Sequence, residues 1–330
     1  MSSETRDWLS SNTLIGFVEK RGKAWHYREG DDNHFPGPIP VEVVQRRLFD
    51  WTAEERNLYV QGQPGCIPDR KAIVRSDNGH VMGIFKPGYR PHQYGEWLLT
   101  GVSNILDDHL QIGSAGLLRG GAVAWVSVEV PENIETPEGV VFRPFLLAAT
   151  SFDGSVATTY KRVVTNVVCD NTMRAALDRE VGQVFKVRHS SKSIERLDDA
   201  REALGIVYGI ADDFSAQVAA LSAIDVSDRA FDRILDDAAP FPEDPEDSPR
   251  AATLAEKKRD TLWELWRNDD RVSPWRGTAF GAWQAFNTYL HHEGHVRGMS
   301  RPERNMIRAV DGTIETADAE TIQRILALAA

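Results

Sequence analysis

The sequence predicts an α+β fold: an antiparallel β-sheet, built from a hairpin plus a meander, packed with helices and linked to a C-terminal helical unit. Three observations predict it. Residues Lys71 to Arg75 and His80 to Phe85 alternate with period two around Asp77-Asn78-Gly79, and Asn-Gly is the strongest short hairpin signal. Apolar runs between Gln111 and Val168 are joined by connections too short for anything but antiparallel neighbours. Tyr94 to Leu110 switches to helical spacing, with apolar residues at 94, 97, 98, 102, 105 and 106.

Composition bounds the rest. At 330 residues, 42% hydrophobic and 26% charged, the chain matches globular averages and excludes a disordered or collagenous protein. No run reaches the roughly 20 apolar residues of a membrane span, and Met1 to Ser10 is polar and acidic where a secretory signal is basic and then apolar. A cytoplasmic protein without a membrane partner is expected. Two distant cysteines, Cys66 and Cys169, suit a reducing compartment and offer no disulfide framework or zinc site. The net charge of −11 counts against nucleic acid as a partner, yet it is unevenly spread. Asp225 to Arg250 carries nine acids against three bases, whereas Arg143 to Lys192 carries eight bases against four acids.

In chain order, residues 1–68 read as an N-terminal extension with one helical stretch, Val41 to Leu48. The core domain spans 69–223. After the hairpin and its helix come strands over Gln111 to Leu118, Ala122 to Val130, Val141 to Thr150 and Val156 to Val168. Asp170 or Asn171 then caps a helix through Leu177, its side-chain oxygen taking a first-turn N–H. A short strand, Gln183 to Arg188, precedes a long helix in which Leu197, Leu204, Ala211 and Val218 form one line and Ala200, Val207, Phe214 and Leu221 a second. That is a heptad seam. It packs on its own sheet, or it makes a homo-oligomer through Leu197, Leu204, Phe214 and Leu221. Residues 224–250, acidic and broken by prolines 240, 242, 245 and 249, read as an exposed linker. Residues 251–330 form a tryptophan-rich unit with helices over Ala251 to Arg267 and Thr278 to His292.

Chemistry-bearing residues concentrate in one region. His291 and His295 are four residues apart, but the glutamate that a zincin helix needs after its first histidine is replaced by His292, and Gly294 ends the helix. No metal or cofactor is implied. The glycines of Gly113 to Gly116 and Arg119 to Gly121 do not open a helix as phosphate loops do, and no GxSxG or kinase signature is present. The richest polar constellation runs from Ser151-Phe-Asp-Gly-Ser155 through Thr158-Thr-Tyr-Lys-Arg162 to Asn171 and Arg174. Read plainly it is a turn, a cap and a solvated face. Read functionally, Arg143, Tyr160, Lys161, Arg162, Asn171 and Arg174 form a face where cations meet backbone phosphates and Tyr160 stacks on an unpaired base. The acidic linker would then compete for that face.

At these residues the chain resembles a family. Arg70 to Phe85, Tyr89-Arg-Pro-His-Gln, Leu118-Arg-Gly-Gly121, Ser151 to Ser155 and Arg162-Val-Val-Thr-Asn-Val-Val-Cys-Asp-Asn-Thr172 resemble the phage/plasmid-like proteins grouped as domain of unknown function 932. The resemblance covers Asp69 to Leu221 and implies an α+β fold and a mobile-element setting, with no agreed activity and no catalytic residues. In outline the order of elements is also similar to phage single-strand annealing proteins. The functional expectation is therefore binding or annealing of single-stranded DNA in recombination or replication. The rivals are a factor that binds a host or replication protein, and an enzyme acting through Asp153, Lys161 and Asn171.

Overall fold

The computed structural model describes residues 12–21, 32–62, 64–106, 110–130, 133–166, 171–173, 185–187 and 205–329. They fall into two compact units. The first comprises Met1–Glu132, Pro144–Val163 and Gly182–Gly209; the second comprises Asn133–Arg143, Val164–Val181 and Ile210–Ala330. Among the described residues no helix is long and apolar enough to cross a membrane.

The first unit holds two antiparallel sheets. β1 (Thr13–Ile15) precedes helix α1 (Val41–Leu48), and β2 (Ala53–Tyr59), β3 (Cys66–Arg75) and β4 (Val81–Phe85) form a three-stranded sheet in that order. The expected hairpin joins β3 to β4. Gly79 takes a φ of 74°, and the Asn78 side chain accepts the His80 N–H at 2.9 Å. Tyr94–Leu99 is a π-helical stretch that continues as helix α2 (Thr100–Ser103). β5 (Gln111–Leu118), β6 (Val123–Glu129), β8 (Val141–Ser151) and β9 (Thr158–Asn166) then form the meander, in the order β1-β5-β6-β8-β9. β6 is buried on both faces. One face of the meander meets Leu48, Ile73, Leu98 and Phe152 in the core, where Tyr94 stacks on Phe152 at 4.2 Å.

The described part of the segment expected to be an extension, residues 1–68, is built into the first unit. β2 pairs with β3 along Ala53 to Tyr59, and Leu14, Val44 and Leu48 are core residues.

The second unit is helical, with short strands at its sheet ends. β7 (Ile134–Glu135) pairs with the start of β8, β10 (Asn171–Met173) pairs with the end of β9, and β11 (Phe185–Val187) returns to β9 within the first unit. The helix expected from Asn171 does not begin there, because Asn171–Met173 satisfies its backbone against Asn166 to Val164 as a strand; residues 174–177 lie outside the described residues. Helices α3 (Gly205–Ser222), α4 (Asp228–Ala238), α5 (Pro249–Asn268), α6 (Ala279–Thr288), α7 (Arg301–Asp311) and α8 (Thr313–Leu328) follow.

Two expectations are corrected here. Phe214, Val218 and Leu221 are fully buried in the core of their own unit, with Phe142, Phe231 and Trp266, so these three seam residues are not available to a second copy. Leu197, Ala200 and Leu204 lie outside the described residues. The proposed linker is also mostly folded. Ser227 caps α4 by accepting the Ala230 N–H at 3.2 Å, and Phe231, Ile234 and Leu235 enter the core, leaving only residues 240–248 as an exposed connection.

Candidate functional site

Two of the six cations and polar groups expected on a phosphate face are buried. Arg143 is 6% exposed and donates from Nη2 to Asn133 Oδ1 at 2.6 Å, and Lys161 is 7% exposed within β9. Neither presents its charge to solvent. Tyr160 and Arg162 are placed on β9 and Asn171 on β10 by their backbones, with side chains outside the description, and Arg174 lies outside the described residues. Arg143 lies on β8 and Lys161 on β9, and between these strands the Thr150 and Thr158 hydroxyls pair at 2.8 Å.

A different cluster is well defined, and it lies entirely in the first unit. Arg75, at the end of β3, is 7% exposed and its guanidinium stacks 4.0 Å over the Trp51 ring. Its Nε and Nη2 donate to the two Asp77 oxygens at 2.9 and 2.6 Å, while Nη1 donates to Gly120 O at 3.1 Å. One arginine thus ties the β3–β4 turn to the turn between β5 and β6. That second turn is left-handed at three consecutive residues, Arg119, Gly120 and Gly121, with φ of 52°, 70° and 97°. Glycine is required at the last two, since a Cβ on Gly121 would collide with the Arg75 guanidinium and one on Gly120 would sit 2.7 Å from the His80 ring. Arg119 bears the strain of a non-glycine residue and turns its side chain to Asp153 Oδ2 at 2.9 Å, across to the turn after β8. Tyr94 closes the cluster by donating to Gly121 O at 2.9 Å, and Tyr89, stacked on Phe85 at 3.8 Å, donates to Ser151 O at 3.3 Å.

The electrostatics favour holding over proton transfer. Burial alone would raise the Asp153 carboxyl, but donors from Ser155 and Arg119 outweigh it and keep it below the usual carboxylate range. Hydrogen bonds from Arg75 likewise lower Asp77 against a smaller burial effect. Both carboxylates are locked as anions near neutral pH, so neither is poised as a general acid or base there. Among the described residues, no three His, Cys, Asp or Glu side chains gather as a metal site.

Beside this cluster one end of the three-stranded sheet, Glu55 to Tyr59 of β2 with Cys66 to Arg70 of β3, is largely exposed, while Lys71 to Ile73 of the central strand are buried. Tyr59 is 68% exposed at the end of β2, with the Arg56 side chain 63% and the Arg90 side chain 60% exposed. Arg56 pairs with Glu54, Arg70 with Asp69 at 3.0 Å, and Arg90 with Glu55 at 3.2 Å. Edge strand β4 exposes Val81 and Ile84. Sequence reading missed Arg56 and Tyr59, because β2 alternates poorly. The loop cluster was within reach, since Arg75, Arg119, Gly120, Gly121 and Asp153 all belong to the separate segments that carry the family resemblance.

The geometry defines an α+β protein with an arginine-locked loop cluster at the ends of antiparallel strands. The chain belongs to the family described as Domain of unknown function (DUF932), which matches residues 81–311. The match runs on through α4 and the tryptophan-rich helices, past the Asp69 to Leu221 boundary read from sequence. No curated protein and no solved structure gives a significant match.

Proposed function

We propose that the chain binds single-stranded nucleic acid at the exposed end of the three-stranded sheet of the first unit, in the setting of a mobile element's recombination or replication. The observation that carries this reading is the exposed Tyr59 ring at the end of β2, with Arg56 on β2, Arg70 on β3 and Arg90 in the segment after β4 also exposed. Aromatic stacking with flanking cations is how sequence-tolerant single-strand binding works, each stacked base contributing about 1–3 kcal/mol. The carboxylate partners of these arginines do not block it. Exposed ion pairs contribute only about 0–1 kcal/mol, so a phosphate replaces Glu54 or Asp69 at little cost. The locked turns at Arg75 and Arg119 hold the hairpin that bears the sheet, which supports binding by a preformed surface. Relative to the face around Lys161, the site moves to side chains that reach solvent. Fluorescence anisotropy with a short labelled oligothymidylate at low salt is the test. Tyr59→Ala weakens binding roughly 5- to 150-fold; unchanged affinity in that variant removes the site.

Val81 and Ile84 favour a second reading, a protein partner docked on the β4 edge. If the chain binds no oligonucleotide at low salt, this second reading takes precedence.

A further inference from the structure

The second unit contains a cavity of about 220 Å³ lined by the C-terminal ends of α4 and α6, by Tyr289 and Leu290, and by the middles of α5 and α8. Its apolar walls come from Phe286, Leu290 and Ala317. Two cations face it. Lys258 donates from Nζ to Ala238 O at 2.7 Å and has no carboxylate partner among the described residues. Arg324 uses only Nε, on Asp237, so both its Nη groups are without a partner among the described residues. Burial, then the Arg324 charge, lowers the Lys258 pKa. Glu320 is also on the rim, exposed and paired with neither.

Asp318, on the same helix as Arg324, also lines the cavity. Trp283 Nε1 and Asn287 Nδ2 donate to its Oδ1 at 3.0 and 2.9 Å, and its buried Oδ2 has no partner among the described residues. Burial pushes this carboxyl up to about 7, so it does not oppose a bound anion with a full negative charge near neutrality. A half-buried ammonium that gives up water without gaining a carboxylate, an arginine whose only anion among the described residues is bound through Nε, a neutralised acid and apolar walls meet in one cavity, and for Lys258 that arrangement costs solvation which packing alone does not return.

We propose that this cavity binds a small organic anion, its carboxylate or phosphate head held by Lys258 and Arg324 and its carbon skeleton lying against Phe286 and Leu290. The volume lies below the roughly 300–1,000 Å³ of drug-sized pockets, which restricts the ligand to something near a single ring with its head group.

Isothermal titration of the full chain with benzoate, phenyl phosphate and inorganic phosphate tests the assignment. At least one aryl anion binds saturably and more tightly than inorganic phosphate; benzoate ahead assigns a carboxylate head, phenyl phosphate ahead a phosphate. Lys258→Met and Arg324→Gln each weaken that binding at least tenfold, while Lys257→Met on the exposed side of α5 leaves it unchanged. Circular dichroism and the ligand-free melting temperature establish that the variants are folded, and Lys258→Arg, which keeps the charge, retains binding if Lys258→Met does not fold. The proposal is overturned if no aryl anion binds, if inorganic phosphate binds as well as both, or if folded Lys258 and Arg324 variants bind like the native chain.

Discussion

Asp153 and Asp318 are both largely removed from water, yet they titrate in opposite directions because their donors differ. Asp153 has an arginine and a serine; Asp318 has only an indole and an amide. For Asp318 the folded pKa of about 7 lies above the ordinary 3.8, so the folded state holds its proton more tightly. Its contribution is therefore greatest at or below pH 4 and is lost as pH rises through 7, by on the order of 4 kcal/mol. Asp318→Asn removes that dependence: urea midpoints at pH 5 and pH 8 converge relative to the native chain, and parallel curves contradict the account. Asp153 has the reverse sign. Its lowered pKa gives stability that is complete above the ordinary 3.8 and lost as pH falls below it, and Arg119→Gln weakens that term, which acid titration by circular dichroism reads as a higher unfolding pH. A third residue-scale expectation concerns Gly121. With φ of 97° and the Arg75 guanidinium against it, Gly121→Ala destabilises by at least about 1–2 kcal/mol in urea unfolding. Composition announced the glycines but not their need, which arises from an arginine placed 46 positions earlier in the chain.

Elements governed by local chemistry were legible, and those governed by tertiary partners were not. The Asn78-Gly79 hairpin, helix α1 and the meander strands all follow from turn residues and period. Asn171 is a good cap by type, but the free edge of β9 offers its backbone a ladder, and a ladder outcompetes a cap. The acidic segment misled for a related reason. Acids and prolines dominate its count, while Phe231, Ile234 and Leu235 lie at i, i+3 and i+4 ahead of every proline and make α4 amphipathic. The heptad in α3 was read correctly as an apolar stripe, but a stripe does not name its partner. In the fold Phe214 packs on Phe142 at 4.7 Å, so Phe214→Ala destabilises by about 3–5 kcal/mol in chemical denaturation. A substitution there that altered the assembly state without lowering stability would contradict the burial.

At the scale of the whole chain, two cores account for the fold, and the division was hard to read because neither unit is continuous in sequence. β8 and β9 each pass from one unit to the other, so a boundary drawn near residue 223 cuts through the second unit. The candidate site shows the same limit: its turns come from four separated segments, and only the fold shows that Arg75 and Arg119 share a neighbourhood. Global charge was the poorest guide, since −11 averages an acidic connection at 240–248 with exposed arginines at 56, 70 and 90. The salt dependence of oligothymidylate binding tests the functional reading most directly, because stacking is insensitive to salt while phosphate contacts are not. For the native chain, log affinity falls linearly with log salt, and the combined variant Arg56→Gln with Arg90→Gln reduces the slope by about 0.7 for each cation removed. A slope near zero in the native chain, or one unchanged in the variant, would contradict nucleic-acid binding on this sheet.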